Sequence, residues 1–207
     1  MESILKYGTT GLFTDYMDNQ GLPYIFLPGF NINNSTAFLL GKIRTIKCEA
    51  GPFKDENINL GLGYLDHCNP GDVLVVEGSN SFAYFGELMS RLAAKRGIQG
   101  AIIGGMTRDR RFTSNLLPVM SKGYMPVDIK GRGRVIEVGC PIALDNAIID
   151  ESMVVAADYD GVVIFSQKTL QNIIEALQTE IAHEEMLKRE IDHGKTVYEI
   201  LQLTRGF

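Results

Sequence analysis

The chain has 207 residues, 45% hydrophobic and 22% charged, enough to bury one large core without disulfides and too apolar for disorder over most of its length. Twenty Lys and Arg against 25 Asp and Glu leave a net charge of −5. That balance argues against a nucleic-acid binder, although Arg108, Arg110 and Arg111 form a local basic patch.

The chain begins without the basic and apolar regions of a signal peptide, and no window reaches the ~20 apolar residues that span a bilayer. A cytoplasmic protein with no membrane contact is therefore expected. Cys48, Cys68 and Cys140 are odd in number and widely spaced, so they read as buried small hydrophobes in a reducing compartment. His67 and Cys68 are adjacent but lack companions at zinc-ligand spacing. His183 and His193 likewise take structural or solvent roles.

One domain covering 1–207 is expected, since no linker, repeat or low-complexity tract divides it. Residues 1–20 read as an N-terminal helix ending near Gly21 and contributing little to the core. Gly41–Ala50 alternates apolar and polar residues, as a half-buried strand does. Residues 51–63, rich in Gly, Pro, Asn and Asp, read as a loop. Asp72–Glu77 is a short apolar run introduced by Asn69-Pro70-Gly71, the pattern of a buried strand.

The segment Gly78-Ser79-Asn80-Ser81 follows as a turn. Phe85–Arg96 then predicts a helix with Leu88, Leu92 and Ala93 on its inner face and Gly97 as a left-handed cap. Gly100–Gly105 is a second buried strand, so strand, helix and strand form a parallel crossover. Met125–Val127, Arg134–Val138, Met153–Ala157 and Val162–Phe165 read as further strands, and Gly139–Ile149 as a strand bent at Pro141. Asp158-Tyr159-Asp160-Gly161 is a turn held by Asp158. A C-terminal helical segment, 168–207, opens with a long amphipathic helix from Lys168 to about Asp192, ended by Gly194. The fold class is α/β.

Two features carry chemistry. The glycine-bearing loop before the predicted helix, with Tyr84 and Phe85 beside it, offers unpaired amides at the positive end of a helix dipole, which suits an anion. Arg108-Asp109 lies at the carboxyl end of a buried strand, where parallel sheets gather ligands. Arg supplies a planar fork for a carboxylate, and Asp suits Mg²⁺ or Mn²⁺. Each has a bland alternative: a tight connection for the first, a solvated ion pair for the second. Ser79 and Ser81 lack the GxSxG pattern and a His partner, which excludes a serine hydrolase.

Taken together, Gly86-Glu87-Leu88-Met89 and Gly104-Gly105-Met106-Thr107-Arg108-Asp109 resemble the signature of the RraA-like family. Supporting segments are Gly71–Val76, Pro126-Val127-Asp128, Gly131-Arg132-Gly133 and Ala157–Val163, and the resemblance spans roughly 35–200. That family joins class II pyruvate aldolases acting on 4-hydroxy-4-methyl-2-oxoglutarate to the RraA regulators of RNase E. The resemblance implies a three-layer β/β/α swivelling-type domain and a divalent-metal-dependent lyase that releases pyruvate from a 4-hydroxy-2-oxo acid. Oxaloacetate decarboxylation would accompany that activity.

It implies that the amides of Gly86, Glu87, Leu88 and Met89 receive the pyruvyl unit, that Arg108 grips it and that Asp109 holds the metal. Glu87 would orient a water for proton transfer. A homotrimer or hexamer is implied, with Glu184 and Glu185 as candidate acids for a neighbouring chain's site. The chain departs from the family in Gly104-Gly105, where relatives place Asp-Gly, and in Asp150-Glu151-Ser152, where many have Pro-Gly-Asp. The Gly104 change suggests a wider site and a sugar-acid lyase variant. The alternative function is a non-catalytic regulator docking on RNase E or another enzyme, with Arg108–Arg111 as its protein-partner face.

Overall fold

In the computed structural model, which describes residues 2–54 and 57–204, two helices come first: α1 (Glu2–Tyr7) and α2 (Thr10–Gln20). Strands β1 (Ile25–Leu27), β2 (Asn31–Ile32) and β3 (Leu39–Ala50) precede helix α3 (Ile58–Tyr64). Then come β4 (Val73–Val76), β5 (Ala83–Phe85), α4 (Glu87–Lys95), β6 (Gly100–Thr107) and α5 (Arg110–Thr113). Strands β7 (Val119–Tyr124), β8 (Gly133–Val138), β9 (Ile142–Leu144), β10 (Ala147–Ile149), β11 (Met153–Asp158) and β12 (Gly161–Ser166) follow, and helices α6 (Gln167–Asp192) and α7 (Val197–Leu203) close the described chain.

The main sheet runs β1-β12-β11-β3-β4-β6-β7-β2, with β5 added to β6 and β8 to β3. The long strand β3 joins two layers: Leu39–Lys42 pair antiparallel with β11, while Ile43–Ile46 pair parallel with β4. Alternate residues divide the core accordingly. Leu74, Val76, Ala101 and Ile103 pack with Met89 and Ala93 of α4. On the opposite face, Val73, Val75 and Ile102 meet Val155, Val162 and Ile164 of the second β layer and Ile142, Leu144 and Ile149 of the β9–β10 hairpin. Both faces of β4 are therefore buried, which its unbroken Val-Leu-Val-Val run requires. The β/β/α layering is present, and α1, α2 and α6 cover the outer β layer through Val154, Ala156, Val163 and Phe165.

Those terminal helices correct one expectation. Residues 1–20 do not stand apart from the core: Ile4, Phe13 and Met17 are fully buried, each contributing about 1.5–3 kcal/mol by leaving water. Asp158 anchors this layer, accepting from the Thr10 amide and hydroxyl at 2.8 Å as well as from the Asp160 amide at 2.9 Å.

Other differences have local causes. Ile58–Tyr64 is helical where a loop was expected, because Gly61 lets the helix approach the Tyr84 ring rather than marking a turn. Residues 55–56 of that segment lie outside the described residues. Strand β7 ends before Met125, and its buried Ser121, which hides the apolar pattern, donates to the Gly123 carbonyl at 3.0 Å. Gly139–Ile149 reverses at Asp145, whose φ of 50° suits a tight hairpin turn, not at Pro141. Among the described residues no helix is long and apolar enough to cross a membrane.

The three cysteines are free and buried, and burial pushes the Cys48 thiol up to about 12, leaving little thiolate to react near neutrality. Native protein at pH 8 should resist a thiol-specific disulfide reagent that modifies all three cysteines in guanidinium. Rapid stoichiometric labelling of the folded form would contradict this burial.

The Gly104-Gly105 pair sits where β6 leaves β4 and takes β5 as neighbour. A side chain at Gly104 would collide with Leu144 and the Glu77 carbonyl, and one at Gly105 with the Ser79 backbone. The glycines thus serve a close backbone approach, and no space opens at Gly104 to widen a site. Gly105→Ala should lower the unfolding free energy by about 1–3 kcal/mol, read as a lower urea midpoint. An unchanged midpoint would show that the Ser79 turn yields freely.

Candidate functional site

The site is assembled by one short pairing. Ala83 and Phe85 of β5 lie parallel to Met106 and Thr107 of β6. The Phe85 carbonyl accepts from the Thr107 hydroxyl at 2.5 Å and from the Arg108 amide at 3.0 Å. Gly86 and Arg108, the next residues of the two segments, are therefore neighbours. A Cβ on Gly86 would stand 2.6 Å from Asp109 Oδ2 and 3.2 Å from Arg108 Nε. The helix-start loop and the strand-end Arg-Asp pair converge.

Helix α4 starts at Glu87 with Gly86 as its extended N-cap, shorter than the Phe85–Arg96 span expected, because residues 83–85 are committed to β5. Its buried face carries Met89, Ser90 and Ala93, so of the predicted Leu88, Leu92 and Ala93 only Ala93 faces the core. The small residues Ser90 and Ala93 bring the helix close to the sheet. Leu88 and Leu92 stay 76% and 46% exposed, and Phe112 of α5 is 49% exposed, so an apolar rim borders the site.

Asp109 adopts a left-handed conformation, φ 59°, uncommon outside glycine though tolerated by Asp. This turns its carboxylate away from its own helix, α5, where it makes no cap. Instead Oδ2 accepts from the Glu87 amide at 3.1 Å, capping α4. One of the four expected amide donors is thus already engaged, while Leu88 and Met89 in the first turn find no acceptor among the described residues.

Arg108 Nη1 forms an ion pair with Asp128 Oδ2 at 2.8 Å, and its Nε lies 3.7 Å from Asp109 Oδ2. Glu87 Oε1 is held by Arg91 at 2.7 and 2.8 Å. These groups are partly exposed, so such pairs add at most about 1 kcal/mol to stability; their main effect is on geometry.

Among the described residues no three His, Cys, Asp or Glu side chains form a metal-binding cluster. That donor set does not fit zinc, which takes four N or S ligands in structural sites. Asp109 offers a carboxylate oxygen of the kind that Mg²⁺ or Mn²⁺ takes. Asp128 is less suited, since both its oxygens are engaged, Oδ1 by the Lys130 amide at 3.2 Å.

A family model described as RraA-like, Aldolase/RraA, matches residues 13–164. The chain belongs to the RraA-like family.

DlpA of Legionella pneumophila is 24% identical over 165 residues, covering 77% of this chain but 26% of its own length. The chain thus spans about a quarter of that relative. A Stutzerimonas stutzeri protein provisionally named 4-hydroxy-4-methyl-2-oxoglutarate aldolase is 28% identical over 163 residues, covering 77% of this chain and 94% of its own. Streptomyces coelicolor RraAS2, described as an unusual member of the RNase ES inhibitor RraA family, superposes with a TM-score of 0.74 at 21% identity, covering 94% of this chain and 95% of its own.

Several residues singled out in the sequence of this RraA-like chain lie in other surroundings. Ser79 Oγ accepts from the Ser81 amide within its own turn. Tyr84 and Phe85 are buried in the core. Glu184 and Glu185 flank Lys188 on α6, at 3.7 and 2.9 Å. His183 contacts the Leu203 carbonyl at 3.2 Å, tying α7 to α6. Arg110 and Arg111 lie over the Tyr124 and Phe112 rings. Glu151, in the departing Asp150-Glu151-Ser152 turn, receives the Tyr64 hydroxyl, the Thr45 amide at 2.9 Å and Arg44 at 3.1 Å. It is a structural anchor; burial, and then the bond to Glu151, raise the Tyr64 hydroxyl's pKa.

Asp128 was visible only as part of the Pro126-Val127-Asp128 segment. Its partner Arg108 is 20 residues away, a pairing that no local spacing announces.

Gly86→Ala tests the convergence. The added methyl meets Asp109 and the Arg108 side chain, which can move, so the protein should fold with a nearly unchanged melting temperature. The displaced pair should cost on the order of 100-fold in any turnover at this site. Full turnover would mean that the two segments do not act together.

Proposed function

We propose that this protein is a divalent-metal-dependent carbon–carbon lyase that releases pyruvate from a 4-hydroxy-2-oxo acid. The observation carrying this reading is that one cluster, joined by a hydrogen bond and two ion pairs, holds an amide-bearing helix start, a guanidinium and a carboxylate with one oxygen uncommitted. The relatives with provisional aldolase names support the activity class.

In this mechanism Arg108 binds the substrate carboxylate and the amides of Leu88 and Met89 face its oxygens, with Gly86 leaving room for the approach. Asp109 would hold Mg²⁺ or Mn²⁺, which when bound supplies a Lewis acid for the charge developing on the 2-oxo oxygen. Arg91 fixes one oxygen of Glu87, leaving the other to position a water that takes the proton of the substrate's 4-hydroxyl as the C3–C4 bond breaks and returns a proton to C3, the methyl carbon of the pyruvate released. Oxaloacetate develops the same charge on losing CO₂, so its decarboxylation is an expected second activity.

Leu88, Leu92 and Phe112 beside the cluster suit coverage by a neighbouring subunit of a trimer or hexamer. The same exposed rim, with Arg110 and Arg111, also favours a second reading in which the protein docks on another enzyme, as the name of RraAS2 suggests for that protein.

Purified protein with Mg²⁺ or Mn²⁺ and 4-hydroxy-4-methyl-2-oxoglutarate, or oxaloacetate, should form pyruvate in an assay coupled to lactate dehydrogenase. Arg108→Ala and Asp109→Ala should each reduce the rate at least 100-fold; Arg108→Ala should keep the native melting temperature, whereas Asp109→Ala should also lower it, since it removes the cap of α4. No pyruvate from these or related 4-hydroxy-2-oxo acids, with either metal, would overturn the lyase reading and leave the docking one.

A further inference from the structure

Arg108 can meet an anion along more than one edge of its guanidinium, and the structure contains a device that chooses between them. Nη1 is taken by Asp128 Oδ2 at 2.8 Å. Asp128 is fixed in turn. Its Oδ1 accepts from the Lys130 amide at 3.2 Å, and its carbonyl from Arg132 Nη1 at 3.4 Å. Its backbone bridges Ala83, whose amide donates to Val127 at 2.7 Å. Asp128 is therefore pinned to β5, the strand that leads directly into Gly86.

A carboxylate binds a guanidinium best through two parallel hydrogen bonds along one edge. With Nη1 paired, the Nε–Nη2 edge remains: Asp109 Oδ2 stands 3.7 Å from Nε, beyond hydrogen-bond reach, and Nη2 has no hydrogen-bond partner among the described residues. Nε lies against Gly86, at 3.2 Å from where a Cβ would stand, so that edge borders the start of α4 and its Leu88 and Met89 amides. An unrestrained arginine this exposed would sample several rotamers and lose freedom on binding.

We infer that Asp128 is a positioning residue for the anion site: its 2.8 Å contact with Nη1 orients Arg108 so that the Nε–Nη2 edge, beside the helix start, receives the ligand's carboxylate. This rests on the reading of Arg108 as the carboxylate-binding group. It depends on an acceptor oxygen at one position, so it separates the geometry of Asp128 from its charge.

The test is calorimetric titration of oxalate into the protein in Mg²⁺, with melting temperatures measured in parallel. Asp128→Asn keeps an acceptor oxygen at the same place and should bind within about twofold of the unaltered protein. Asp128→Ala removes the acceptor, and Asp128→Glu keeps the charge but displaces it. Both should weaken binding about tenfold, equivalent to about 1.4 kcal/mol, without a matching loss of melting temperature. If Asp128→Ala does not fold, the Asn and Glu variants alone decide the matter.

Tenfold weakening in Asp128→Asn, or unaltered binding in Asp128→Glu, would overturn the positioning role. Arg108→Ala is the control for the underlying reading. Loss of oxalate binding there with full binding in Asp128→Ala and Asp128→Glu refutes the inference alone, whereas full binding in Arg108→Ala refutes the assignment of Arg108 itself.

Discussion

The candidate site depends on a three-residue strand. Where β6 passes Gly104-Gly105 it loses β4 as a neighbour, and β5 takes the vacated edge in parallel. A parallel pair sets residues of equal advance side by side, so the segment after Phe85 and the segment after Thr107 leave the sheet together. The Phe85 carbonyl secures this by accepting from both Thr107 and Arg108. Residues 22 positions apart, Glu87 and Asp109, then come within one hydrogen bond. The glycines at 104 and 105 are part of the same constraint, since side chains there would push the Glu77–Ser79 turn away and with it the entry to β5.

Elsewhere the structure holds its ends by half-buried polar anchors. Asp158 binds the start of α2, and Glu151 gathers Tyr64, Thr45 and Arg44. Both acids lie in turns of the second β layer and reach elements distant in sequence. Removing one partner of such a set leaves polar groups without compensation, which costs more than the bond contributes. This explains why the Asp150-Glu151-Ser152 turn can depart from the family's pattern: its acid is committed to packing β3 and α3 against that layer.

The parts of the fold legible in the sequence were those with strong period and clear punctuation. Val73–Val76, Gly100–Gly105, Met153–Ala157 and the Gln167–Asp192 helix follow directly from apolar runs, period and left-handed glycines. Illegible parts were those where glycine or a polar residue was needed for contact. Gly61 made a helix resemble a loop, and Ser121 concealed β7. The N-terminal helices looked dispensable because Ile4, Phe13 and Met17 are too sparse to announce a buried face. At the candidate site, the resemblance to the RraA-like signature brought together Gly86, Glu87, Arg108 and Asp109. It could not reveal that Asp109 caps α4 or that Asp128 holds Arg108, because both facts arise from rotamers and strand pairing.

The exposure of the cluster bears on its strength. At about 4 Å a pair of unit charges is worth roughly 1 kcal/mol in water and about 4 kcal/mol at the effective dielectric of a protein surface. Arg108 and Asp109 keep more than a third of their side-chain surface, and their attraction for a small anion is correspondingly screened. Leu88, Leu92 and Phe112 offer an apolar surface for excluding that water, but within a single chain they stay largely exposed. A neighbouring subunit seated on this rim would lower the local dielectric around Arg108 without moving any of its hydrogen bonds. In the proposed lyase, assembly and anion binding would then be linked by desolvation rather than by a change of shape, and the rigid β5–β6 pairing is what makes that economy of motion workable.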